Sequence, residues 1–96
     1  MVNENLMRNL EMRVFTHSGE LFKQIRVLSG LSLKEAGYKM GYQKPLFIFL
    51  EALEAGYLKP TPGILAGYID VFKLEYRRVR RILDKIYNNN QIRIFL

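Results

Sequence analysis

The chain is 96 residues long, with 49% hydrophobic residues, no cysteine and a formal net charge of +6. This length suffices for one domain with one core, and the composition is that of a folded globular protein. The lack of cysteine excludes disulfides, thiol catalysis and cysteine-ligated zinc. The only histidine in the sequence is His17, and a lone histidine is more often a capping or exposed side chain than a ligand. The sequence therefore predicts no metal site and no cofactor.

The positive charge is concentrated after residue 22. Residues 1–22 carry two basic and three acidic side chains, residues 23–59 carry six and three, and residues 60–96 carry seven and three. A basic balance favours polyanionic partners, nucleic acid first and acidic membrane or protein surfaces second. The longest apolar run, 46–50, is five residues long, whereas crossing a bilayer takes about 20. We therefore expect a cytoplasmic protein with no membrane segment.

The two ends of the chain have ambiguous patterns. Residues 12–15 and 91–95 alternate apolar and polar side chains, which is typical of short strands that pair with each other or across a dimer. Residues 4–12 fit an extra helix equally well. Short β segments at the termini are therefore one expectation, and an N-terminal helix is the other.

Two short helices are predicted between residues 19 and 40. The first covers about 19–29, with Ser18 as its N-cap residue, because its apolar residues recur at helical spacing. The second covers 32–40 and begins with Ser32 and Glu35 at the spacing of a capping box. Its small residues Ala36 and Gly37 would allow another helix to approach closely.

A third helix is predicted from about Pro45, which is acceptable in a first helical turn, to Ala55. Its apolar run requires one stripe for the core, formed by Phe47, Leu50 and either Leu53 or Glu54. Leu46, Phe49 or both would then point outward. Exposed apolar groups of this size usually mark a contact surface.

Two further helices complete the prediction. Thr61 and Pro62 form an N-cap and first-turn pair that begins a fourth helix, which continues to about Phe72. A fifth covers about 75–88, with four apolar residues facing inward: Val79, Ile82, Leu83 and Ile86. Glycines follow three of the five segments, at positions 30, 41 and 56, where a left-handed backbone would end a helix. The pattern predicts an all-α protein, a compact bundle of five helices.

The order of these segments resembles the lambda-repressor and Cro-like helix-turn-helix family, also called the XRE family. The stretch from Leu21 to Gly41 matches its first two helices and the Gly-Leu-Ser link between them. The sequence Leu53-Glu54-Ala55-Gly56-Tyr57-Leu58-Lys59-Pro60 is similar to its Ile-Glu-x-Gly-x-x-x-Pro signature, and Ile64 to Leu74 is similar to its fourth helix. The resemblance covers about 55 of the 96 residues.

The resemblance implies a lambda-repressor-like helix-turn-helix domain at 18–88, between an N-terminal extension at 1–17 and a C-terminal tail at 89–96. It also implies a transcriptional regulator that binds double-stranded DNA as a homodimer, with its third helix in the major groove. Gln43 and Lys44 would then reach base edges, and Leu46 and Phe49 would face the DNA. Five basic residues are candidates for phosphate contacts: Lys23, Arg26, Lys34, Lys39 and Lys59.

This chain departs from the family pattern in its third helix. Twelve residues separate Gly41 from Glu54, about one helical turn more than usual, and the helix is apolar on all sides at 46–50. A protein-interaction module on the same fold, which binds a partner through this helix, is therefore the alternative function. The basic cluster at 77–81 fits either a solvated face or a phosphate-binding face. No arrangement of catalytic residues is present, so we do not expect an enzyme.

Overall fold

The computed structural model describes residues 1–41 and 47–95, with side-chain surroundings described through residue 89. This part of the chain contains six helices and no strand. They are α1 (Glu4–Glu11), α2 (Ser18–Leu28), α3 (Leu33–Lys39), α4 (Phe47–Glu54), α5 (Pro62–Phe72) and α6 (Tyr76–Phe95). The all-α prediction is confirmed, while the prediction of five helices is short by one.

The additional helix is α1, at the N-terminus. The Asn3 side chain caps it by accepting a hydrogen bond from the Leu6 amide at 3.1 Å. Its apolar face buries Leu6, Met7 and Leu10, and the helix packs against α2 and α6. Of the two expectations for this end, the helix is correct.

The expectation of short β segments at the termini is wrong for the residues described. Residues 12–15 form a turn and an irregular segment, and residues 91–95 continue α6 as a helix. Five alternating residues carry little period information, and extending a formed helix by one residue costs far less than starting a strand without a partner. The predicted fifth helix therefore begins close to its expected start and runs past its expected end.

The start of α2 also differs from the prediction. The N-cap residue is His17, not Ser18, and its side chain makes no capping hydrogen bond. Ser18 is the first helical residue and is buried. Glu20 accepts hydrogen bonds from the backbone amide and the hydroxyl of Thr16 instead. The chain entering α2 is thus held by Glu20, inside the helix, and the buried Ser18 does not cap it.

The predicted caps at the starts of α3 and α5 are correct, while the predicted start of the third helix at Pro45 lies outside the described residues. Ser32 and Glu35 form the capping box of α3, and the Thr61 hydroxyl accepts a hydrogen bond from the Ile64 amide at the start of α5. The glycines at 30, 41 and 56 have φ angles of 74°, 80° and 88°. Side chains with a Cβ rarely adopt this left-handed conformation, so these three positions favour glycine.

The core lies between α1, α2, α4, α5 and α6. Aromatic packing joins α2 to α5, where the rings of Phe22 and Tyr68 meet edge to face at 4.7 Å. The predicted inward residues of α6 are all buried, as are Leu50 and Leu53 of α4. Interlocking of this kind fixes the relative positions of α2 and α4, which pack directly against each other.

Candidate nucleic-acid interface

The α3 and α4 helices meet at a glycine. A Cβ added to Gly37 would overlap the ring of Phe47, which shows that the ring lies directly against the α3 backbone. The rings of Tyr38 and Phe47 also meet at right angles, 5.2 Å apart. The predicted close approach at the small residues of α3 is confirmed, and it fixes α3 against α4.

A second glycine brings α2 close to the end of α4. A Cβ on Gly19 would collide with the backbone carbonyl oxygens of Leu53 and Glu54. Backbone atoms cannot move aside as a flexible side chain can, so this contact requires glycine. Nothing in the sequence pattern pointed to Gly19, because it lies in the first turn of a helix rather than at a turn between elements.

Arg26 connects the three elements of this region. Its guanidinium donates to both carboxylate oxygens of Glu54, at 2.8 and 3.0 Å, and to the Leu31 carbonyl at 2.9 Å. The Arg26 and Glu54 side chains are 15% and 8% exposed. The hydrogen bonds from Arg26 to Glu54 raise the pKa of the arginine. The prediction of Arg26 as a phosphate ligand is therefore corrected, since its guanidinium holds α2, the α2–α3 link and α4 together.

The four candidate lysines differ from Arg26 in their surroundings. Lys23, Lys34, Lys39 and Lys59 are exposed, and within the described residues no carboxylate lies within ion-pair distance of any of them. The Lys34 ammonium lies 5.9 Å from the centre of the Tyr38 ring, one helical turn away. These lysines belong to α2, α3 and the segment after α4, and their charges are available to a ligand.

The acidic side chains of the region are engaged within the fold. Backbone and side-chain hydrogen bonds from Ser32 lower the pKa of Glu35, and Glu54 is paired with Arg26. Hydrogen bonds from Thr16 lower the pKa of Glu20. An exception on α4 is Glu51, which is exposed.

Phe49 does not point outward as expected. Its side chain is partly buried and packs against the core, whereas Ile48 is 72% exposed. Leu50 and Leu53 are fully buried and Glu54 is buried, as predicted for the core stripe, and Phe47 is half-buried against α3. A run that is apolar at every position gives no sign of which residue faces outward, so Ile48 could not be singled out.

Three predicted residues lie outside the described part of the chain: Gln43, Lys44 and Leu46. They follow Gly41, whose left-handed backbone ends α3, and precede the start of α4 at Phe47. Their predicted roles at base edges remain predictions.

The basic cluster at 77–81 contains both arginines paired with carboxylates and exposed arginines. Arg78 is 17% exposed and forms ion pairs with Glu4 at 2.7 Å, Glu11 at 2.5 Å and Glu75 at 3.6 Å. The hydrogen bonds from Arg78 lower the pKa of Glu11. Arg80 lies 3.5 Å from Asp84, while Arg77 and Arg81 are exposed. Arg78 thus joins α1 to α6 and is not part of a free basic face.

Comparison with known proteins identifies no relative. No protein-family model matches the chain, and neither a curated protein nor a solved structure matches it. Within residues 1–41 and 47–95 there is no cluster of side chains suited to holding a metal ion. The helices of the same residues include none with both the length and the apolar character needed to span a bilayer.

Proposed function

We propose that this protein binds double-stranded DNA as a homodimer and acts as a transcriptional regulator, with α3 and the start of α4 facing the duplex. In this proposal the lysines of α3 contact phosphates, and Gln43 and Lys44, which precede α4 in the sequence, contact base edges in the major groove. The two copies would bind half-sites about 34 Å apart.

The observation that carries the proposal is a difference between the acidic and basic side chains of this region. The glutamates Glu35 and Glu54 are hydrogen-bonded within the protein, whereas the lysines are not paired with any described carboxylate. Lys34 and Lys39 on α3, with Lys23 on α2, have no carboxylate partner among the described residues. Glu54, in contrast, is buried and paired with Arg26. The exposed Glu35 accepts a hydrogen bond from the Ser32 amide. Free cations on a rigid frame release counterions from DNA on binding, which is the main source of affinity for a duplex.

The rigidity of the frame supports the same function. Arg26 fixes the α2–α3 link and the end of α4, and Gly37 allows Phe47 to pack directly on α3. A helix pair that is held in one arrangement can place phosphate contacts and base contacts in register without ordering on binding.

The test measures binding to a labelled duplex of about 30 base pairs and mixed sequence, with fluorescence anisotropy as the readout at several salt concentrations. We expect binding at about 50 mM salt that weakens steeply as salt increases. The double variant Lys34→Gln/Lys39→Gln should reduce the slope of log K against log salt by about 1.8, because two phosphate contacts are lost. Gln43→Ala and Lys44→Ala should also weaken binding.

The matched control is Arg8→Gln, which removes one exposed cation from α1. It should leave the salt slope unchanged. Undetectable binding at about 50 mM salt, or a double variant with the slope of the wild type, would overturn the proposal.

The exposed side chain of Ile48 favours a second candidate function, binding of a protein partner through α4. Ile48 is 72% exposed, and Glu51 follows one turn later on the exposed side of the helix. An apolar and acidic surface is unsuited to phosphates but suited to a protein. Ile48→Ser should then abolish capture of the partner and leave duplex binding intact. The opposite result would remove this candidate. Phe49 is unsuitable for the test, because it packs against the core.

A further inference from the structure

A groove of about 400 Å³ lies between α6 and the irregular segment 12–15. Its α6 side runs from Arg78 to Asn89, which is about 16 Å at 1.5 Å per residue. Phe15, Ile82 and Ile86 contribute apolar surface to it. This length matches about five residues of an extended peptide or about three turns of a helix.

The groove is lined by four basic side chains and one acidic side chain. Arg13, Arg81 and Lys85 line it and are exposed, and no described carboxylate lies within ion-pair distance of them. Its single acidic lining residue, Glu11, is paired with Arg78, which also lines the groove. The other two carboxylates held by Arg78 do not line it. The lining therefore has an excess of positive charge.

The rim of the groove also carries two exposed apolar side chains. Met12 and Val14 are 84% and 88% exposed, and both line the groove. These two apolar side chains project into solvent on either side of Arg13. Covering them with a partner would remove apolar surface from water and so stabilise the complex.

We propose that this groove binds an acidic segment of a protein partner, with apolar side chains of that segment packed on Met12 and Val14. Carboxylates of the segment meet Arg81 and Lys85 along α6. The proposal is independent of DNA binding by α3 and α4, because it uses none of the same residues.

Charge and polarity distinguish this occupant from two others. A second copy of the chain seated here about a two-fold axis would bring the cations of this groove close to the same cations of the partner. A DNA backbone would meet the cations but would leave Met12 and Val14 without apolar contacts. An acidic segment with apolar side chains satisfies both parts of the groove.

The test uses the full chain and a fluorescein-labelled peptide of about twelve residues that alternates Glu or Asp with Leu and Phe. We expect saturable binding measured by anisotropy. Arg81→Glu should weaken it at least tenfold, and Val14→Ser about threefold. Their matched controls are Arg77→Glu, one turn away on α6 and outside the groove, and Val27→Ser, also exposed and outside it. Both controls should change affinity less than twofold.

Several results would overturn the proposal. They are no binding at about 1 mM peptide, equal losses in Arg77→Glu and Arg81→Glu, and equal binding of a peptide with Ser in place of Leu and Phe. A loss of duplex affinity in Arg81→Glu with unchanged peptide binding would assign the groove to DNA instead. Arg81→Gln, which keeps the helix and removes only the charge, separates these outcomes from a folding defect and should weaken binding about threefold.

Discussion

The ion pair between Arg26 and Glu54 should be among the most sensitive points of the fold. In Arg26→Met the Glu54 carboxylate, 8% exposed, loses its cationic partner and two hydrogen bonds of 2.8 and 3.0 Å. The Leu31 carbonyl also loses its donor. Removal of one partner of a buried pair typically costs about 3–5 kcal/mol. Arg26 retains some access to solvent, so we expect the lower end, about 3 kcal/mol.

The magnitude can be compared with the whole stability of the chain. A domain of this length has an unfolding free energy of about 5–14 kcal/mol. A loss of about 3 kcal/mol would therefore lower the melting temperature by about 12–24 °C. Because the chain has no tryptophan, far-UV circular dichroism in a urea titration is the suitable assay.

A double-mutant cycle isolates the interaction. Arg26→Met/Glu54→Leu removes both charges together, and we expect it to lie within about 1 kcal/mol of the wild type, because an apolar pair can replace a buried ion pair. The control is Arg80→Met, whose partner Asp84 lies 3.5 Å away on an exposed surface and whose loss should cost at most about 1 kcal/mol. A cost below about 1 kcal/mol for Arg26→Met, or a coupling energy near zero in the cycle, would refute the reasoning.

Two further predictions concern the fold. Gly19→Ala should cost about 3 kcal/mol in urea titrations, because the new methyl group meets backbone carbonyls of α4. Its control is Gly63→Ala in the first turn of α5, where an added Cβ would meet only the Thr61 hydroxyl at an ordinary contact distance of 4.0 Å. This variant should cost nothing or stabilise, and equal effects in the two variants would contradict the packing argument. The pKa values of Glu11 and Glu35 are lowered in the folded chain, so their contribution to stability is complete above the unfolded value of about 4.3 and is lost as pH falls through the folded values. Between pH 7 and 3, the urea concentration at half unfolding should therefore decrease once the pH is below about 4.5. The decrease should be less steep in Glu35→Gln, and an unchanged profile in that variant would contradict a contribution of Glu35.

The sequence was most informative where a residue acts on its near neighbours along the chain. The capping box of Ser32 and Glu35 and the Thr61 cap depend on residues three positions apart, and both are present in the structure. The left-handed glycines at 30 and 41 follow helical segments in the same local way. Local rules of this kind predicted most helix ends correctly.

Interactions between distant residues could not be predicted. The partner of Arg26 lies 28 residues away at Glu54, and Arg78 is held by Glu4, 74 residues away. Of these two arginines, only Arg78 has a carboxylate partner nearby in sequence, Glu75. The contacts of Arg26, predicted as a phosphate ligand, and those of Arg78, in a cluster left open between two roles, were therefore known only once the helices were packed.

The residue of α4 that faces outward could not be predicted from the sequence either. The apolar positions of the run gave no period, so the choice between Ile48 and Phe49 depended on the space that Gly37 leaves for Phe47. The candidate interface was predicted as a set of lysines and a helix pair. Of its two apolar members, Phe49 packs against the core beside the exposed Ile48, and Leu46 lies outside the described residues.

The contacts of Arg78 bear on how the chain opens. Arg78 joins α6 to α1 through Glu4 and Glu11, and the Asn3 amide donates to the Lys73 carbonyl at 2.7 Å, in the turn that precedes α6. The first helix is therefore anchored to the first turn of α6 as well as to α2. Opening of the N-terminus, often the lowest-energy local opening of a domain, must here break ion pairs to the start of α6 and a backbone hydrogen bond to the turn before it. Amide exchange in α1 is thereby coupled to the loss of these contacts at the start of α6.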